Sequence, residues 1–306
     1  MDLVPIARRR KSRVKGQGRA QGMMTSLLLF RLGAFVLALT YFSGCGVLPG
    51  SAKWLDKSNA LLAAQEKDAG RLRAASGRKV IYAGFALHSD STAFQGDVIL
   101  TRNVLLSINS QISALLLSNQ LERSDIVYPF ATKENVKTVL SKVARLADKD
   151  TVVLLLFTSH GSPNLLGIEI GGDYSDNLTA EELRSYLEDL KPIPTIIIIS
   201  ACYSGSFVSS LSSENRIIIT SAAKDRTSFG CSSESEATYF IQAFFQNKFD
   251  ESMSLSQLFS QARRQVAEQE RRQKVSASEP QIFVGERMKK SVSVPLKELL
   301  TKTEGL

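Results

Sequence analysis

Apolar residues in this chain fall into two alternating patterns. Residues 80–85, 152–157 and 196–199 are short runs with no polar alternation, and residues 216–220 form another. Such runs predict strands buried on both faces. Between them the apolar positions recur at helical spacing. Val98, Val104, Leu105, Ile108, Ile112, Leu115 and Leu116 predict a helix over 98–121. Val136, Val139, Leu140, Val143 and Leu146 predict one over 135–147. Residues 179–182, Thr-Ala-Glu-Glu, read as a capping box opening a helix to about Leu190, with Pro192 and Pro194 stopping it. Helices are also predicted over 237–246 and 255–272, and strands at 125–128 (closed by Pro129) and 165–170, the latter pairing locally.

Unalternating strands separated by amphipathic helices imply an α/β domain, a mainly parallel sheet with helices on both faces. The compact part is expected to span 79–287, followed by a C-terminal tail, 288–306. Residues 45–78 are rich in Ala, Ser, Lys and Gly and read as a tether, with some helix over 60–75.

Charge changes the picture only at the N-terminus. The formal net charge is +8. Arg8, Arg9, Arg10, Lys11, Arg13, Lys15, Arg19 and Arg31 face a single acid, Asp2, before residue 45, so the rest of the chain is close to neutral. No nucleic-acid groove is expected. The basic stretch precedes an apolar run over 27–42, broken by Arg31 and ending in Phe42-Ser43-Gly44-Cys45. That layout describes a secretory signal over 1–44. Ser-Gly-Cys resembles a bacterial lipobox, which makes Cys45 the lipidated first residue of the mature chain. The alternative is an uncleaved anchor, although about 16 apolar residues are short against the ~20 of a membrane span. Either way the body is expected at the cell envelope, tethered to a membrane and facing the periplasm. Gly46, rather than Asp, after Cys45 favours the outer membrane.

Ligands of open α/β sheets bind beyond the carboxyl ends of the strands. Two central runs end in reactive residues: Thr158-Ser159-His160-Gly161-Ser162 and Ser200-Ala201-Cys202-Tyr203-Ser204-Gly205. Neighbouring strands would put His160 and Cys202 in one cleft. A free thiol, with a pKa near ~8.5, is only partly ionised at neutral pH. An adjacent imidazole can take its proton and later protonate a leaving amine. Gly161 and Cys202 could offer N–H groups to an oxyanion.

Other chemistries fit less well. Residues 203–208 hold no arginine for a phosphate loop, and no Gly-x-Ser-x-Gly occurs there. His88 reads as an exposed loop residue. Two histidines and scattered cysteines give no close ligand pair, so neither zinc nor a cofactor is expected. A Cys202–Cys231 disulfide is the plainer reading of that pair in an oxidising compartment.

The Ser-His-Gly and Ser-Ala-Cys-Tyr-Ser-Gly segments resemble the legumain-type (asparaginyl endopeptidase) cysteine peptidases, bacterial branch. The resemblance extends to residues 128–132, 222–231, 238–240 and 280–285. It implies a caspase-haemoglobinase-like fold and cleavage of peptide or protein substrates through a thioester. It also implies Cys202 as nucleophile, His160 as acid/base with no required third residue, and Gly161 as an oxyanion donor. Ser228 would bind substrate backbone, and a structural role for Cys231 becomes the better reading. Asp225 and Arg226 are pocket candidates, or an ion pair holding their loop. The chain departs from legumain at Tyr203, where legumain has glutamate, at Ile241-Gln242, and near Ala93-Phe94-Gln95, where no pocket arginine is found. Asparagine specificity is therefore not implied. The competing readings are a transamidase and a catalytically silent lipoprotein that uses the fold to bind a partner.

Overall fold

In a computed structural model of the protein, residues 51–71, 78–122, 124–232 and 235–302 are described. The leader and Cys45 lie outside them. The elements run α1 (Ser51–Arg71), β1 (Val80–Ala86), α2 (Thr92–Ile108), β2 (Ser113–Ser118), α3 (Lys133–Leu146) and β3 (Val152–Thr158). Then come β4 (Gly161–Ser162), β5 (Leu165–Ile170), β6 (Tyr174–Thr179), α4 (Ala180–Tyr186), β7 (Thr195–Ser200), α5 (Val208–Leu211) and β8 (Arg216–Thr220). The chain closes with α6 (Tyr239–Phe245), α7 (Leu255–Gln273), β9 (Gln281–Val284) and α8 (Leu296–Thr301).

Six strands form one sheet in the order β2-β1-β3-β7-β8-β9. All neighbours are parallel except β9, which runs antiparallel at one edge. A small antiparallel sheet, β4-β5-β6, follows β3 directly. The two-residue period of a strand splits each apolar run between two cores. Ile81, Phe85, Val153, Phe157, Ile197 and Ile199 face a layer that includes α1, α3, α4 and α5. Tyr82, Leu154, Leu156, Ile196 and Ile198 face α2, α6, α7 and α8. The expected α/β architecture, with a mainly parallel sheet covered on both faces, is the one observed.

Local signals hold where they are strong. Thr179 and Glu182 form both arms of the expected capping box. Ser254 and Gln257 form a second, at the start of α7. The expected helix over 98–121 is a helix followed by a strand. It ends at Ile108, where Asn109 turns to extended backbone (φ −140, ψ 104) and its side-chain amide donates to Leu300 O. The run Ser113–Ser118 becomes the edge strand β2, because a continuous apolar run fits a buried strand as well as a helix. Residues 125–128 are not a strand. Ile126 and Phe130 pack instead in a small cluster with Trp54 of α1.

Helix α1 extends the domain into the segment expected as a tether. Leu62 and Ala69 are buried in the core, and Trp54 meets Phe130 edge-on at 5.0 Å. Ser58 Oγ accepts from the Phe130 N–H, and Gln65 bridges both the N–H and the carbonyl of Leu116. Among the described residues the compact unit accordingly begins at Ser51. The expected C-terminal tail likewise contains α8, whose Leu296, Leu299 and Leu300 are buried.

Candidate active site

The site lies at the carboxyl ends of β1, β3 and β7. Thr158 pairs with Ser200 at the last rung between β3 and β7. His160 and Cys202 each stand two residues beyond that rung, so the paired register carries them to the same height. Ser159 N–H donates to Ser200 O at 3.2 Å, extending the contact by one step.

The turn after β7 is held tightly. Ser221 Oγ accepts from the Ala201 N–H and donates to the Ala201 carbonyl. Tyr203 sits in the left-handed region at φ 57, and its N–H donates to Arg226 O at 2.7 Å. A Cβ on Gly205 would come within 2.6 Å of Lys224 N, so only glycine lets the two loops close. The resulting contact brings Ser228 to the nucleophile candidate, with its N–H 3.2 Å from Cys202 Sγ. The same sulfur also faces the Ser228 carbonyl, as a donor, at 3.5 Å. Cys202 and Cys231 are both free thiols and form no disulfide. Burial and the neighbouring Cys202 push the Cys231 thiol up, which suits an inert, packed role.

Gly161 lies against the Cys202 backbone. A Cβ there would sit 2.4 Å from the Cys202 carbonyl oxygen and 3.1 Å from Ala201 Cβ. The His160 carbonyl accepts from the Gly167 N–H at 2.9 Å, and Ser159 Oγ donates to Gly167 O at 2.6 Å. The β4–β5 hairpin therefore braces the His160 backbone from the other side.

The His160 ring is fixed by residues that sequence reasoning passed over. Its Nε2 lies 3.1 and 3.0 Å from the two oxygens of Asp90. The other side of Asp90 meets His88 Nδ1 at 2.8 Å, and His88 Nε2 meets Glu169 Oε2 at 3.0 Å. The rings of His88 and Phe94 stand edge-on to His160, at 4.8 and 5.1 Å between centroids. His88 is thus not the exposed loop residue expected, since its side chain is only 15 % exposed. Leu87 donates to Thr158 O and accepts from Glu169 N, which draws the loop after β1 between β3 and β5. Ser89 Oγ accepts from Gly171 N–H, and Ser91 caps α2 through the Ala93 N–H. The signal available in the sequence was position: His88 and Asp90 follow a buried strand on the same sheet edge as His160 and Cys202.

A second carboxylate ties the strand ends together from below. Asp97 is fully buried and accepts from Thr158 Oγ1 at 2.6 Å, Thr238 N at 2.8 Å and Thr238 Oγ1 at 3.0 Å. Ser200 Oγ and Thr238 Oγ1 are 2.9 Å apart. Burial raises the Asp97 carboxyl to about 7, against the pull of its hydrogen bonds from Thr158, Thr238 and Ser200. It links the last residues of β3 and β7 to the N-cap of α6.

The remaining candidates are less engaged. Asp225 is exposed, and the ion pair of its loop runs from Arg226 to Glu279 at 3.4 Å. The expectation that the histidines give no close ligand pair fails in three dimensions. One ligand atom each from His88, Asp90 and His160 lie within 4.8 Å of one another.

Residues 131–291 match the family model described as the Peptidase C13 family. That segment contains His160, Gly161, Cys202, Asp225 and Ser228, and excludes His88 and Asp90. Among solved structures, the chain is similar to the crystal structure of caspase-1 from Spodoptera frugiperda. The identity is 14 %, the match covers 68 % of this chain and 88 % of that one, and the TM-score is 0.49. No curated protein matches in sequence.

Proposed function

This chain belongs to the peptidase C13 (legumain) family of cysteine-type peptidases, which act on peptide or protein substrates, and from that premise we propose that it is a membrane-tethered endopeptidase working through Cys202 and His160. The observation that carries the assignment is the shared register of the two residues beyond the Thr158–Ser200 rung, with His160 held by Asp90.

In this reading His160 takes the Cys202 proton and the sulfur attacks the scissile carbonyl carbon. The Ser228 N–H holds the attacking sulfur in place, and N–H groups at Gly161 and Cys202 receive the oxyanion. The C–N bond breaks as His160 protonates the departing amine, leaving a thioester on Cys202. Water, deprotonated by His160, then attacks the thioester and releases the acid. Asp90 acts through His160: its carboxylate holds the ring at Nε2 and so fixes its orientation and tautomer. The loop from Lys224 to Ser228, exposed at Lys224–Arg226 and half-buried at Ser228, supports a role for Ser228, and secondarily Asp225, in binding the substrate backbone and side chain.

Attachment to a bacterial envelope membrane rests on the sequence of the leader, with Cys45 as the lipidated residue. Among the described residues no helix is long and apolar enough to cross a membrane.

Peptide-library cleavage with the Cys202→Ser protein as control tests the assignment and reads the specificity pocket. Iodoacetamide labelling at neutral pH separates it from a silent binding module. Cys202 should be alkylated faster in the wild type than in His160→Ala. Equal rates in both, with no cleavage of any peptide, would overturn it. Capture of an added amine in the product would redirect the reading to transamidation.

A further inference from the structure

His88, Asp90, His160 and Glu169 form a polar cluster that proteolysis engages only at the His160 end. Three ring nitrogens face two carboxylates in it: His88 Nδ1 and His160 Nε2 on Asp90, and His88 Nε2 on Glu169. Every such contact is satisfied by a proton or by a cation. A neutral His88 that donates Nε2–H to Glu169 turns the Nδ1 lone pair toward Asp90, 2.8 Å away. Two acceptors at that distance repel unless a proton or a cation joins them, and the Asp90 N–H, 3.5 Å from Nδ1, makes only a long contact there.

The geometry points to a divalent transition metal. Zn²⁺ bonds imidazole nitrogen and carboxylate oxygen at about 2.0–2.1 Å in a tetrahedron, which sets its ligand atoms about 3.3–3.4 Å apart. Here the Asp90 oxygens lie 2.8 Å from His88 Nδ1 and 3.0 Å from His160 Nε2, and the whole ligand set fits within 4.8 Å. To reach that spacing the two Asp90 contacts open by a few tenths of an ångström and the widest separation shortens, which side-chain rotations can supply. Glu169 stands where a ligating histidine normally finds its outer partner, a carboxylate on the second ring nitrogen that fixes tautomer and orientation. Asp90 and His160 are 49 % and 40 % exposed, which leaves an entry path and an open fourth position for water.

We propose that His88, Asp90 and His160 bind one Zn²⁺ ion, with Glu169 as outer partner, and that the bound ion holds the peptidase off. Metal on His160 Nε2 takes the position of a proton and displaces the Asp90 contact. The ring is then held as a neutral ligand and cannot cycle through imidazolium. Inhibition rests on the acid/base role given to His160 above, whereas binding does not. Affinity falls with pH, because the histidines must be neutral to bind.

Isothermal titration with Zn²⁺ alone, on the full-chain Cys202→Ser protein, tests the site with the nucleophilic thiol removed. One ion per chain is expected. Adding Glu169→Gln should weaken binding by about 10–100-fold, and His88→Ala by more than about 100-fold. Circular dichroism checks that each variant is folded. The Glu169→Gln protein, with every ligand kept, holds the test if His88→Ala unfolds. Absence of Zn²⁺ binding to Cys202→Ser, or binding indifferent to Glu169 and His88, overturns the site. In wild-type protein, peptidase activity should fall with Zn²⁺ and return with chelator. Tight, Glu169-dependent binding in a protein that cleaves no peptide with or without chelator supports the site and overturns the catalytic reading instead.

Discussion

Asp90 Oδ2 lies 3.0 Å from His160 Nε2 and joins the loop after β1 to the end of β3. That contact sets the orientation and tautomer of the ring, so Asp90→Asn should lower kcat by roughly 10²–10⁴-fold, the range seen when an acid/base residue loses its function. KM should change little, because in the proposed mechanism Asp90 acts through His160. Steady-state kinetics on the folded variant checks this, and a kcat within twofold of wild type would remove Asp90 from the mechanism.

Gly161 has no room for a methyl group, since its Cβ would stand 2.4 Å from the Cys202 carbonyl oxygen. The clash is with backbone on a turn already held by Ser221 and Arg226. Gly161→Ala must therefore push the two strand ends apart. We expect kcat to fall by about 10²–10³-fold, as for loss of one oxyanion donor. The accompanying loss of stability should be about 1–3 kcal/mol. Kinetics and a urea titration on the same preparation separate the two effects.

Asp97 makes stability depend on pH in an unusual direction. Its folded carboxyl is raised by burial from 3.8 to about 7, so the folded state holds a proton that the unfolded state has already released. Stability contributed by the protonated form is complete below pH 4. It is lost as pH rises toward 7 and stays lost above it, in total on the order of 4 kcal/mol. Relative to Asp97→Asn, the wild type should therefore lose a few kcal/mol between pH 5 and pH 8, on the order of 1.4 kcal/mol per pH unit up to about 7. Urea titrations of both proteins at the two pH values measure this, and a constant difference between them would refute it.

Ser58 tests whether α1 belongs to the domain. Its hydroxyl accepts from the Phe130 N–H at 2.9 Å in a fully buried setting. Ser58→Ala leaves that N–H unpaired, at about 1–3 kcal/mol. Trp54 is the single tryptophan of the chain and packs on Phe130, so its fluorescence reports the unfolding of this contact directly. If α1 were a loose tether, the substitution would leave the midpoint unchanged, and Trp54 would report no transition shared with the core.

The sequence by itself determined the sheet and the two reactive strand ends. Runs such as Ile196–Ile199 carry no polar residue, and only a doubly covered parallel sheet buries them. Capping at Thr179 was equally legible, because a capping box is a local interaction within four residues. His160 and Cys202 stood out because buried strands place reactive residues at one edge. Where the pattern was ambiguous, tertiary contacts decided. The apolar run at 113–118 had periodicity compatible with helix and became an edge strand because β1 offered an unpaired side. Helix α1 read as tether because its composition is polar, yet a few positions, Ser58, Leu62, Gln65 and Ala69, suffice to bind it to β2 and Phe130. The environment of His160 lay furthest from sequence. His88 and Asp90 stand some seventy residues before it, and Glu169 nine after, so no spacing rule connects them. Only strand order, with β1 beside β3 and β5 bridged to His88 through Glu169, brings Asp90 and His88 against the His160 ring and Glu169 behind His88.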